Sequence, residues 1–118
     1  MTIINYDEIC NALKKDLKND TQLYSMVLTF LKKIKKANDI SIYTRQKWIS
    51  RLKKVSVPIY EFRIPPGKRK EGVVRIYFGY KKKVKNTIVL LTFEFKRKTE
   101  ANSNQIKKAE SKYYTECN

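Results

Sequence analysis

Apolar positions recur at spacings of three and four through the first third of the chain and at spacings of two from residue 59 onward. Ile9, Cys10, Leu13 and Leu17 share one side of a helix predicted from Tyr6 to about Lys18, with Lys14, Lys15 and Asp16 opposite. The break at KNDTQ supplies Asp20 or Thr21 as N-cap of a second helix, whose stripe is Leu23, Val27, Phe30, Leu31 and Ile34. Residues 40–58, ISIYTRQKWISRLKKVSVP, are read as weakly helical, because Ile42, Trp48, Ile49 and Leu52 fit a short helix or an irregular packed segment. Three stretches rich in β-branched and aromatic residues follow, IYEFRI, VVRIYFGY and TIVLLTFEF, joined by PPGKRKEG and KKKVKN. The second connection is short enough for an antiparallel hairpin. A last helix is predicted within TEANSNQIKKAESKYY, with a Thr or Asn cap, Glu100 in its first turn and a thin apolar face of Ile106, Ala109 and Tyr113. The initial TIINY can add an edge strand.

This order of elements predicts an α+β domain: a small antiparallel β-sheet, two N-terminal helices packed on one face, and a C-terminal helix. At 118 residues the chain has room for one domain, taken as residues 1–118. Its 42% apolar and 12% aromatic residues fit a folded chain rather than a disordered tail.

Charge changes the picture most. Lys and Arg number 27 against 11 Asp and Glu, a net charge of +16 that calls for a polyanionic or acidic partner. Residues 1–60 carry 12 basic and 5 acidic groups, leaving 15 and 6 for residues 61–118, so the excess is no detached basic tail. Lys32, Lys33, Lys35 and Lys36 fit the negative end of the second helix dipole as well as they fit a nucleic-acid contact. No apolar stretch is long enough to span a bilayer, and MTIINYDEIC lacks the pattern of a secretory leader, so a soluble, cytoplasmic protein without a membrane partner is expected. With no histidine, and with Cys10 and Cys117 far apart, Ser-His-Asp and Cys-His catalysis and the usual zinc sites are excluded. No metal or other cofactor is expected.

Strand parity groups the positive residues. Tyr60, Phe62 and Ile64 alternate with Ile59, Glu61 and Arg63, and Val74, Ile76 and Phe78 alternate with Val73, Arg75 and Tyr77. In the last strand Val89, Leu91, Phe93 and Phe95 form the heavier apolar set, with Thr92, Glu94 and Lys96 on the polar side. Arg63, Arg75, Tyr77 and the cluster Lys96, Arg97 and Lys98 are therefore expected on one open, concave sheet face. Such a face suits a phosphodiester backbone, with guanidinium groups on phosphates and Tyr77 against a base. It also fits a merely solvated strand face on a basic protein. Lys68 and Arg69, in PPGKRKEG, are further candidate RNA contacts.

From Trp48 onward the chain resembles the RelE/ParE superfamily of bacterial toxins, especially its HigB-like, phage-derived branch. The resemblance rests on LKK ahead of YEFRI, the strand VVRIYF with its Arg75, the apolar strand leading to FKRKT, and a Lys-rich last helix, and it covers a little over half the chain. It implies a type II toxin: a ribosome-dependent mRNA endonuclease that is held inactive by a cognate antitoxin with an acidic segment, encoded beside it with a helix-turn-helix module. In such enzymes the 2′-hydroxyl of the RNA attacks the adjacent phosphate, so orientation and charge stabilisation matter more than a strong base. Position by position, the resemblance implies that Arg75 contacts the scissile phosphate, that Arg63 is a second basic residue and that Lys98 is the basic residue after the last strand. The tyrosine that some members carry early in the last helix is missing from EANSNQ, which leaves Tyr77 as a substitute.

Three other readings stay open. The same fold serves ParE-like gyrase poisoning. A non-catalytic module would use the same basic face to hold nucleic acid. Glu94-Phe95-Lys96 matches the E-x-K of metal-dependent nucleases, with Glu61 or Glu71 as the upstream acid.

Overall fold

The computed structural model describes residues 1–96 and 103–118. Strand β1 (Thr2–Ile4) leads through Asn5, in the left-handed region at φ 67°, into α1 (Tyr6–Asp16). Helix α2 (Thr21–Lys36) starts at the Asp20 cap, whose carboxylate accepts the Leu23 N–H at 3.1 Å. After α3 (Ser41–Arg45) come β2 (Ile49–Arg51), β3 (Tyr60–Ile64), β4 (Val73–Tyr80), β5 (Thr87–Lys96) and α4 (Ser103–Glu116). The sheet order is β1-β5-β4-β3-β2. Neighbours from β2 to β5 run antiparallel, and β1 lies parallel to β5, pairing Ile3 with Ile88. The fold is α+β, with a mixed rather than purely antiparallel sheet. The predicted edge strand is β1.

Between its two edges the chain crosses one face of the sheet as α1 and α2. Leu13 of α1 and Leu23, Val27, Phe30, Leu31 and Ile34 of α2 are buried against Phe62, Ile64, Val74, Ile76, Phe78, Ile88 and Leu90. Phe62 stacks on Phe78 at 4.0 Å between ring centroids, and Phe30 lies parallel to Trp48 at 4.6 Å. Each fully buried side chain of this size contributes about 1.5–3 kcal/mol. No described helix is long and apolar enough to cross a membrane.

Two expectations are corrected. The segment read as weakly helical is one short helix, α3, followed by the edge strand β2. Lys47, at φ 66°, turns the chain between them, and Ile49 pairs with Phe62 in the sheet. Pairing outweighs local propensity there.

Nor does β5 keep one parity along its length. Its register with β4 shifts between Tyr77, paired with Thr92, and Phe78, paired with Leu90, so Leu91 is an extra residue. Val89 and Leu91 therefore pack with Ala109, Tyr113 and Cys117 of the C-terminal segment, whereas Phe93 and Phe95 lie on the α1 and α2 side. The polar face is consequently not open, because α4 lies across it. Gly79 permits this approach: a Cβ there would sit 2.8 Å from the Cys117 sulfur. Asn5 ties the layers together, its Nδ2 donating to the Leu90 carbonyl at 3.1 Å and to Glu116 Oε1 at 2.8 Å. Both cysteines are free and buried, and burial pushes the Cys117 thiol up to about 11.

Candidate nucleic-acid interface

The α4 face of the sheet carries two polar rows that run across the strands. Strand register puts Ser50, Glu61, Tyr77 and Thr92 in one row and Arg63, Arg75 and Glu94 in the next. Arg63 is directly opposite Arg75, a juxtaposition of like charges that costs free energy unless anions compensate it. Two carboxylates do so in part. Glu61 Oε2 is 3.9 Å from an Arg75 terminal nitrogen, and Glu94 is the cross-strand partner of Arg75 on β5. Ser50 donates its hydroxyl to Glu61 Oε1 at 3.2 Å, which fixes the carboxylate, while Oε2 is buried and accepts no hydrogen bond among the described residues.

Arg75 is 6% exposed and Glu94 7% exposed, so these charges act at low dielectric. Arg63 is half-buried, and its Nε has no partner among the described residues. Tyr77 is fully buried, which leaves no ring face for a base. Its hydroxyl has no partner of hydrogen-bonding geometry among the described residues and feels Arg75 only as a looser contact. Burial, with Glu94 and Glu61 nearby, holds its pKa well above the usual phenol value, so it stays a neutral donor.

The rows open into a groove of about 690 Å³ along β2 and β3, lined by Glu61, Arg63, Lys47, Arg51 and Lys53 together with Leu52 and Val55. Arg63 and Glu61 belong to this lining, and Arg75 stands behind them, paired to Glu61. Four basic side chains against one carboxylate give the groove the charge of a polyanion site.

The remaining candidates are dispersed. Lys96 ends β5 and pairs with Glu94 at 3.6 Å, so the E-x-K residues bind each other. No group of three or more His, Cys, Asp or Glu that could hold a metal ion occurs among the described residues. Arg97 and Lys98 lie outside the described residues, as does the expected cap of the last helix. Lys68 is exposed in the β3–β4 connection. Arg69, in the same connection, is not brought to the groove: its guanidinium clamps both Asp20 oxygens at 2.8 and 3.0 Å at the start of α2. That clamp holds the Asp20 carboxyl below its usual pKa range.

Sequence reasoning weighed Glu61 only as a metal ligand and passed over its place beside Arg75. The signal was present in the parity of YEFRI, which puts Glu61 and Arg63 on one face. Compared with known proteins, the chain matches no protein-family model, no curated protein and no solved structure.

Proposed function

We propose that this protein is a metal-independent endoribonuclease of the toxin type, cutting mRNA in the groove beside Arg63 and Arg75. The observation that carries the reading is the Glu61–Arg75 pair set against Arg63 at a strongly basic groove. A carboxylate beside two guanidinium groups supplies what cleavage through the 2′-hydroxyl needs. Glu61 accepts the 2′-hydroxyl proton, the 2′-oxygen bonds to the adjacent phosphorus, and the bond to the 5′-oxygen breaks. Arg75 and Arg63 stabilise the charge that grows on the phosphorane oxygens, and a single donor of this kind is worth on the order of 10²- to 10³-fold in rate. The leaving 5′-oxygen takes a proton from an acid, a role open to Lys98, which the RelE/ParE resemblance matches to the basic residue after the last strand. The same resemblance supports translating ribosomes as the setting and an acidic antitoxin as the inhibitor, which the +16 charge would attract.

The test is primer-extension mapping of a reporter mRNA incubated with purified protein, with and without translating ribosomes. Cuts that keep codon register and depend on ribosomes are expected. Intact mRNA under both conditions would overturn the reading and favour gyrase poisoning or plain binding.

A further inference from the structure

Helix α4 has two flanks with different surroundings. Gln105, Lys108 and Lys112 line a cavity of about 470 Å³ with Glu8 and Asp16 at the outer edge of β5, and Glu116 is bonded to Asn5 beside β1. Tyr114 follows Lys112 by two residues, a rotation of about 200°. It therefore faces the opposite flank, toward β3 and β2, where the groove lies. The helix starts near the polar rows, with Thr92 Oγ1 donating to the Gln105 carbonyl at 3.1 Å, and ends beside Gly79 at the hairpin. Tyr114 thus stands at the hairpin end of the groove side.

Its surroundings are those of a stacking site. The Tyr114 side chain is 56% exposed, the highest value among the exposed large hydrophobic residues described. The neighbouring Tyr113 ring holds it edge to face at 6.0 Å between centroids. Lys82 lies 5.8 Å from the Tyr113 ring on one side. Arg51 is close enough to Tyr113 to oppose the upward shift of its phenol, and Arg51 also lines the arginine groove. Cations and one exposed ring therefore continue from the groove toward the β4–β5 connection, where Lys81, Lys83 and Lys85 add further charge. Five residues of β4 separate Arg75 from Tyr80 at this end, about 17 Å at the usual strand rise, which no single nucleotide spans.

We propose that Tyr114, packed on the Tyr113 ring that Arg51 and Lys82 approach, is a second subsite for single-stranded RNA, which stacks a base several nucleotides away from the bond that is cut. Arg51 and Lys82 contact the intervening phosphates. The ring gives affinity without selecting a base, because every base offers a π-face. This inference rests on the proposed RNA groove and adds a binding path that the catalytic pair does not require.

The experiment measures fluorescence anisotropy with fluorescein-labelled 2′-O-methyl oligouridylates of 3 and 12 nucleotides, which cannot be cleaved. The wild-type protein should bind the longer probe at least about tenfold more tightly, the size of one stacked base. Tyr114→Ala should weaken binding of the longer probe about tenfold while trimer binding is unchanged, and Tyr114→Phe should bind both probes as the wild type does. Lys82→Ala should lower the salt slope for the longer probe by about one and leave the trimer's slope alone. Undiminished affinity of Tyr114→Ala for the longer probe overturns the subsite but leaves the groove standing, as does the absence of a length gain in a wild-type protein that binds both probes. Binding of neither probe overturns the groove, and the subsite with it.

Discussion

The two faces of the sheet are built differently. Under α1 and α2, Phe62, Phe78, Ile76 and Leu90 are sealed by a continuous apolar stripe. Under α4, Val89, Leu91 and Ile59 pack with Ala109, Tyr113 and Cys117, but the same face carries Glu61, Arg63, Arg75 and Glu94. Buried charges of this kind contribute little net stability, because desolvation offsets their attraction. The contrast puts the apolar core on one face and, on the proposed function, the chemistry on the other.

Truncation on the apolar face should have the largest effect. Phe62→Ala removes a fully buried ring that stacks on Phe78 and touches Phe30, and should cost about 3–5 kcal/mol in denaturant unfolding. Next comes the seam of the other face. Gly79→Ala pushes a methyl group into the Cys117 sulfur and the Tyr113 ring and should cost about 1–3 kcal/mol, with faster hydrogen exchange in α4 than in α2.

Smaller still is the helix cap. Asp20→Asn keeps a capping oxygen but loses the ion pair to Arg69, for a cost of about 1 kcal/mol at pH 7. The Asp20 pKa is lower folded than unfolded. Its contribution is therefore present above the ordinary carboxylate value and lost as pH falls through the folded one. The difference between wild type and Asp20→Asn in thermal melts should shrink below about pH 4. A difference that grew on acidification would contradict the clamp. The least effect on stability is expected at the polar rows: Arg63→Met should leave it within about 1 kcal/mol, or raise it, because Arg63 is half-buried, its Nε has no partner among the described residues, and it faces the like charge of Arg75.

How much of this was legible in the sequence follows from the same contrast. The period-two alternation of YEFRI and VVRIYF identified β3, β4 and the shared face of Arg63 and Arg75, and the stripe from Leu23 to Ile34 identified α2. The three residues of β2 are too few to show a period, and they are extended because Ile49, Ser50 and Arg51 find partners on β3. The bulge at Leu91 was hidden as well, since alternation assumes unbroken register. Without it Val89 and Leu91 joined the wrong face, and the docking place of α4 disappeared with them. That is why the polar face read as open, Tyr77 as available to a base and Glu61 as incidental, when Tyr77 is buried and Glu61 stands beside Arg75.

The central claim is that the charged rows exist for chemistry and not for the fold. Its most direct test measures urea unfolding and ribosome-dependent mRNA cleavage side by side for wild type and Arg63→Met. The account predicts unchanged or higher stability with cleavage reduced at least about 100-fold. Cleavage at the wild-type rate, or a loss of activity that merely follows a loss of stability, would contradict it.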